Sequence, residues 1–514
     1  MTNCASTSLR QHALLDTDQG KLDEALRQLT DILAERRQAK AQPTQLATAL
    51  RELGRVHSRL GHHQEAIALQ REAVGILRNQ PAGDGVDLAG AHNDLGVAYL
   101  RADDNEQAID SLQTALAESI KAYGPVHEEV SQRRSNLAAA LRRMGRHSEA
   151  EVLLREAVEA DTRIYTEAHA DAAQHLNNLG GLLYVRDKLL DAEEVLQRAL
   201  AMNLKVFGEH HPETASTEAN LALAEYGLGR YDRAVSLQRA ALTQFIATYG
   251  ARHNSVAITQ NNLARSLTLY GQRKEARELA EQSLQLKQAL RGADSDAAAP
   301  ALLTLAELDA QEGNPQSGLV RMDQLMKLKG IEERRNTPTI LVYQLAHARL
   351  LCQAEQWQQG LTEITALLAQ TGLGESEAPL SRAGGEETRG DCLLGLGDRP
   401  HAVLAWQKAL DLRSGRLPEE HPDVCKLRQY LAAQSAIDGS LQAPIRMRLV
   451  VDGIDQRRPA AASARRRFSG VMRLARPRAS PRNPAIAVEP ELKLRSIRLK
   501  LLAAMTFSLR RSRS

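Results

Sequence analysis

HPETASTEANLALAEYGLGRYDRAVSLQRAALTQFIATYG, residues 211–250, reads as two amphipathic helices joined by a tight turn. Its landmarks recur along the chain at one interval. Leu221 follows Leu179 by 221 − 179 = 42 residues, and Leu263 follows Leu221 by the same 42. A repeat of roughly 20–50 residues marks a solenoid, in which each unit buries its apolar face only against its neighbours.

Working outward, the turn and second helix carry a Gly or acidic residue five positions before a small one. The pairs are Gly61/Ala66, Asp103/Ala108, Gly145/Ala150, Asp187/Ala192, Gly229/Ala234 and Gly271/Ala276. Weaker copies follow at Gly313/Gly318, Glu355/Gly360 and Gly397/Ala402. Gly at the turn accepts positive φ and ends a helix at little cost. The small residue lets two helices approach closely. A second small residue seven positions on (Ala73, Ala115, Ala157, Ala199, Ala241, Ser283, Ala409) extends it into a stripe, because seven residues make two helical turns. The first helix of each unit carries Leu53, Leu95, Leu137, Leu179, Leu221, Leu263 or Leu305, followed by Gly or Ala.

Composition agrees. Aromatic residues are 3% of the 514, hydrophobic ones 43% and charged ones 25%. So few aromatics favour helix packing over a sheet sandwich. The net charge of +3 hides an asymmetry: from Arg446 onward there are 18 Lys/Arg and 4 Asp/Glu, or 18 − 4 = +14. Four scattered cysteines, Cys4, Cys352, Cys392 and Cys425, form no C-x-x-C pair and fit a reducing compartment. Without a signal-peptide core or a membrane-length apolar run, a cytoplasmic protein is expected.

The Leu-Gly/Ala, turn-Gly and Ala/Ala pattern resembles the tetratricopeptide repeat. The 42-residue length, the Asn-Leu-Ala core and linkers such as Phe207-GEHH-Pro212 resemble the kinesin-light-chain type. Linker histidines His127, His169, His211 and His253 sit 42 apart, and His421 returns on the same grid. Their recurrence points to helix-start geometry and packing on the aromatic four residues earlier. The resemblance implies an all-α, right-handed α-α superhelical solenoid of about ten helix-turn-helix repeats with a disordered basic C-terminal tail.

The expected divisions are 1–45, an atypical N-terminal repeat or cap; 46–290, regular repeats; 291–416, degenerate repeats; 417–440, a capping helix; and 441–514, a basic low-complexity tail. The first helix, about Leu9–Asp18, is short, which fits a cap or a chain that once began earlier. Within the tail, Ser496–Leu509 has the makings of a short basic amphipathic helix.

No residue set points to catalysis. GDGVDLAG (83–90) follows no strand and is no dinucleotide loop. His62 and His63 with Glu65 lack the H-E-x-x-H frame, and a residue that recurs with the repeat is structural. No enzyme activity, cofactor or metal is expected.

The residue before the marker Leu is Asn136, Asn178, Asn220 and Asn262 in the central units, and Asn177 and Asn261 precede two of them. In the family this position faces the concave groove. A carboxamide donates and accepts, so it pairs with a peptide backbone whatever its sequence. Helices about 10 Å apart and an extended chain advancing about 3.3 Å per residue would bring one Asn to every third ligand residue. The competing role for these Asn is bonding between adjacent repeats. The same register puts Arg55, Arg59, Arg101, Arg142, Arg143 and Arg265 toward the groove, with Tyr184 and Tyr226 one turn past the marker. Arginine pairs bidentately with carboxylates. Asn, Arg and Tyr together suit an acidic peptide with an apolar or aromatic anchor.

The expected function is a non-enzymatic scaffold that binds a peptide or partner protein in the groove. Two alternatives stand beside it: the regulatory repeat region of a kinase-associated signalling protein, and a binder of nucleic acid or anionic membrane through the basic tail.

Overall fold

The computed structural model describes residues 21–80, 85–331, 337–370 and 378–437. Twenty helices and no named strand lie among them. In chain order they are α1 (Leu22–Gln38), α2 (Pro43–Leu60), α3 (His63–Arg78), α4 (Val86–Arg101), α5 (Asn105–Tyr123), α6 (Glu128–Arg143) and α7 (His147–Ile164). There follow α8 (Ala170–Val185), α9 (Leu189–Val206), α10 (Pro212–Gly227), α11 (Tyr231–Tyr249), α12 (Asn254–Tyr270) and α13 (Arg273–Arg291). The last are α14 (Ala299–Gln311), α15 (Pro315–Met326), α16 (Pro338–Gln353), α17 (Trp357–Leu368), α18 (Pro379–Gly395), α19 (Arg399–Arg413) and α20 (Pro422–Ile437). From α2 to α19 they stack as helix-turn-helix pairs into a right-handed α-α superhelix. The expected helix at Leu9–Asp18 and the tail at 441–514 lie outside the described residues.

The repeat grid is visible in the backbone. Gly61, Gly145, Gly229, Gly271, Gly313 and Gly397 all take φ between 74° and 94°. Asp103, Asp187 and Glu355, which replace Gly on the same grid, are held there too, at φ 63°, 57° and 62°. The turn demands the left-handed region even where a side chain makes it costly. The small residues serve close packing: Ala66, Ala108, Ala150, Ala192, Ala234 and Ala276 are completely buried. A methyl added at Gly96 or Gly180 would run into Leu112 or Leu196 of the paired second helix.

The apolar core is one continuous cluster from Ala25 to Ala224. Beyond it the core breaks into separate clusters, one around Leu263 and Leu305 and another from Ala298 to Leu351. The cysteines depart from the expectation of scattered thiols. Cys352 on α16 and Cys392 on α18 form a buried disulfide, with Cα atoms 5.4 Å apart. Their separation of 40 residues is close to one repeat, so stacking brings them together.

α20 covers the last repeat, as a solenoid end requires. Leu427 packs with Ala402, Trp406 and Ala409, and Tyr430 lies 5.2 Å from the Trp406 ring. It also does something no repeat pattern foretold: its start returns to the middle of the chain. Leu417 and Val424 are buried with Leu189 and Leu228. No helix among the described residues is long and apolar enough to cross a membrane.

Candidate functional site

The linker histidines have structural work. Each occupies the position before a first helix in extended backbone. Nδ1 of His127, His169, His211 and His253 accepts the backbone N–H two residues on, at 3.2–3.3 Å. This satisfies one of the helix's unpaired N-terminal donors. Each ring also stacks on the aromatic four residues earlier, with centroids 3.8–4.4 Å apart. No group of three or more His, Cys, Asp or Glu among the described residues is arranged to hold a metal.

The asparagine ladder is bonded between repeats. Asn136 Nδ2 donates to Asn93 Oδ1 at 2.8 Å, Asn178 Nδ2 to Ser135 Oγ at 3.0 Å, and Asn220 Nδ2 to Asn177 Oδ1 at 2.9 Å. Thr304 Oγ1 continues the series to Asn261 Oδ1 at 2.9 Å. At the front, Arg51 Nε reaches Asp94 Oδ2 at 2.8 Å in the same spacing of 43 residues. Asn262 has Ala219 at the corresponding place and lacks such a bond. The Asn side chains therefore join neighbouring first helices. Asn136, Asn178 and Asn220 each donate one amide hydrogen to this and keep a second, while Asn93, Asn177 and Asn261 accept through Oδ1.

Three of these asparagines, Asn177, Asn178 and Asn220, meet at a cavity of about 340 Å³ on α6, α8 and α10. Arg142, Asn177, Asn178, Tyr184 and Asn220 line it over an apolar floor that includes Ala138, Ala139, Gly181 and Leu223. Sequence reasoning missed that floor. Its signal was present: Ala139, Gly181 and Leu223 occupy one column of the 42-residue grid. Gly181 keeps the cavity open, since a Cβ there would meet only Asn220 Nδ2, at 3.9 Å.

Other expected groove residues lie elsewhere. Arg143 does not line this cavity. Its Nη1 donates to the Leu100 carbonyl at the end of α4, and it lies 3.6 Å from Asp103. The neighbouring turn offers it a helix C-terminus and a carboxylate. Arg55 is paired with Asp94 at 2.8 Å. Tyr226 and Arg265 line a second cavity of about 500 Å³, shared with α14, α16, α18 and α20. Arg265 lies 4.9 Å from the centre of the Tyr226 ring, and that phenol more than any other group holds the guanidinium above its ordinary pKa. Arg265, Glu307, Arg349 and Asp391 follow one another at 42-residue steps along this wall. Glu307 pairs with Arg349, while burial pushes the Asp391 carboxyl up to about 6.

No curated protein matches the sequence. Among solved structures, a putative kinesin light chain of Podosopora anserina with nearly identical TPR-like repeats is 22% identical; the match covers 40% of this chain and 97% of that one, with a TM-score of 0.37. BtubC (BKLC) of P. vanneervenii is 25% identical, with 45% and 92% covered and a TM-score of 0.40. A Rap protein complexed with Competence and Sporulation Factor is 13% identical, with 76% and 99% covered and a TM-score of 0.54, a likeness of fold. The tetratricopeptide repeat family matches residues 4–79, 87–163, 171–246 and 218–289, more than half of the chain, and a second tetratricopeptide family matches 135–203. With its 42-residue grid, its stacked helix pairs and these matches, the chain belongs to the tetratricopeptide repeat family.

Proposed function

We propose that this protein is a non-enzymatic scaffold whose concave groove binds an extended peptide segment of a partner, acidic and carrying one apolar or aromatic anchor. One observation carries the reading: Arg142, Asn177, Asn178, Tyr184 and Asn220 converge on a single cavity with an apolar floor. The floor takes the anchor, the carboxamides face the peptide backbone, and Arg142 supplies charge for a carboxylate. Asn136, Asn261 and Asn262 belong to the same ladder, and Tyr226, Arg265 and Arg143 serve the segments on either side.

Because the asparagines also bond between repeats, replacing Asn178 and Asn220 by Ala lowers both binding and stability. Gly181→Leu separates the two roles. It fills the open floor, and Leu is a better helix former than Gly by about 0.8 kcal/mol. An array of extended acidic peptides, each with one Leu, Phe or Trp, is titrated against the full chain. Wild type should bind a subset. Gly181→Leu should lose at least about 1.4 kcal/mol of that binding, a factor of ten, with a melting temperature equal to or above wild type. Unchanged binding by Gly181→Leu would remove this cavity as the site.

A further inference from the structure

Two successive repeat turns in the middle of the chain hold the far end. Asp187, in its left-handed turn after α8, accepts the backbone N–H of Leu380 at 2.9 Å, 193 residues on. Leu380 lies in the first turn of α18, so Asp187 caps a helix about four and a half repeats away. One repeat later, the Gly227 carbonyl at the end of α10 takes His421 Nε2 at 3.2 Å. His421 Nδ1 accepts the Asp423 N–H at 3.1 Å, so the ring is the neutral Nε2–H tautomer and serves both helix ends at once. Between these bonds lie the buried Leu189, Leu228, Leu417 and Val424, with Tyr184 and Leu380 against them. A Cβ on Gly229 would come within 2.6 Å of Pro422 Cδ.

This seam divides the groove. The Asn178 cavity is lined only by residues up to Leu223 and is not covered by the C-terminal helices. The Tyr226–Arg265 cavity has α18 and α20 as its opposite wall, through Leu380, Ser381, His421 and Lys426. The seam itself is thin, with four buried apolar side chains and two side-chain-to-backbone bonds. The chain carrying it is jointed, because the core that is continuous up to Ala224 is split beyond it.

We propose that the seam is a clasp: residues 379–437 lift from the turns at Asp187 and Gly227, and this exposes the Tyr226–Arg265 half of the groove to a polypeptide too long for the open half. The functional consequence rests on the groove being the binding face, but the clasp is tested without any ligand. Spin labels go on Leu190→Cys and Glu420→Cys, both exposed, in the full chain carrying Cys4→Ser and Cys425→Ser. Wild type should show a short and a long distance. Asp187→Ala with His421→Ala should shift the population to the long one, and Asp187→Asn, which keeps the acceptor, should resemble wild type. Hydroxyl-radical footprinting of the same chains should show Tyr226 and Tyr231 oxidised several-fold faster in the double variant. The buried Tyr99 and Tyr343 should remain protected. A single short distance in wild type and double variant alike overturns the clasp. So does faster oxidation of Tyr99 and Tyr343 together with Tyr226, since that is unfolding. Failure of Gly181→Leu to block peptides, with these results intact, would overturn the groove reading and leave the clasp standing.

Discussion

The central repeats and the C-terminal repeats share one 42-residue grid and use it differently. Up to α10 the core is a single run, and linker histidines start four first helices, α6, α8, α10 and α12. On α6, α8 and α10 the cavity-lining column of the grid is Ala139, Gly181 and Leu223, all uncharged. From Arg265 on α12 onward the column is charged, with Glu307, Arg349 and Asp391, and past α13 the histidine linkers are gone until His421. The core there is divided, and a disulfide ties α16 to α18. Regular landmarks hold each unit on its neighbour in the same way. Degenerate ones leave the later units to find other ties, both covalent and at long range.

If the C-terminal half depends on such ties, removing the disulfide should have the largest effect and should act there alone. Cys352→Ser with Cys392→Ser, or reduction of wild type, should cost about 2–4 kcal/mol, appearing as an earlier separate unfolding transition. Denaturant melts followed by the fluorescence of Trp406, buried in that half, and by total helicity would resolve it. Loss of stability spread evenly over one transition would make the two halves a single cooperative unit.

The central half rests on close helix approach. Ala192 is fully buried, so Ala192→Leu should cost about 1–3 kcal/mol by overpacking α8 against α9. A calorimetric melt identical to wild type would refute the packing grid.

Asp391 probes the charged column. Burial lifts its carboxyl from 3.8 to about 6. A raised folded-state pKa means the native chain keeps a proton that the unfolded chain has released. That contribution is complete below about pH 4 and is lost as pH rises through about 6. Asp391→Asn retains an acceptor for the Trp406 Nε1 bond of 3.0 Å and removes the charge. It should gain about 1 kcal/mol at neutral to basic pH, discounted for partial exposure, and nothing at low pH. Stability curves against pH that run parallel for the two proteins would contradict this.

The smallest effect contrasts two aspartates in the same left-handed turn. Asp103→Gly should stabilise by about 0.5–1 kcal/mol, because it relieves backbone strain and gives up only exposed contacts with Arg143 and Asn105. Asp187→Gly relieves the same strain but gives up the cap on α18, so its gain should be smaller or reversed. Equal gains in paired chemical denaturation would show that the long-range cap contributes nothing.

The repeat length, the turn positions, the buried small residues and the histidine starts were all legible from residues 42 apart. The asparagines were legible as a ladder, and the doublets Asn93-Asp94, Asn177-Asn178 and Asn261-Asn262 carried the signal of their bonds. In the doublet Asn177-Asn178 one side chain bonds the next repeat, Asn177 to Asn220 at 2.9 Å, and the other the previous one, Asn178 to Ser135 at 3.0 Å. The floor around Gly181 had its signal in the column Ala139, Gly181 and Leu223, but that the column borders an open space was visible only in the fold. The pairing of Cys352 with Cys392 was not legible, because neither cysteine recurs with the period.

By itself, then, the sequence determined what recurs from one repeat to the next: helix, turn, stacking face and family. The return of α18 and α20 to the turns at Asp187 and Gly227 was decided by tertiary structure alone. Each repeat adds a small rotation to the last, and only the sum over about four and a half repeats carries the chain back onto itself. No local pattern encodes that sum, so the separation of the Asn178 cavity from the Tyr226–Arg265 cavity appears only in the folded superhelix.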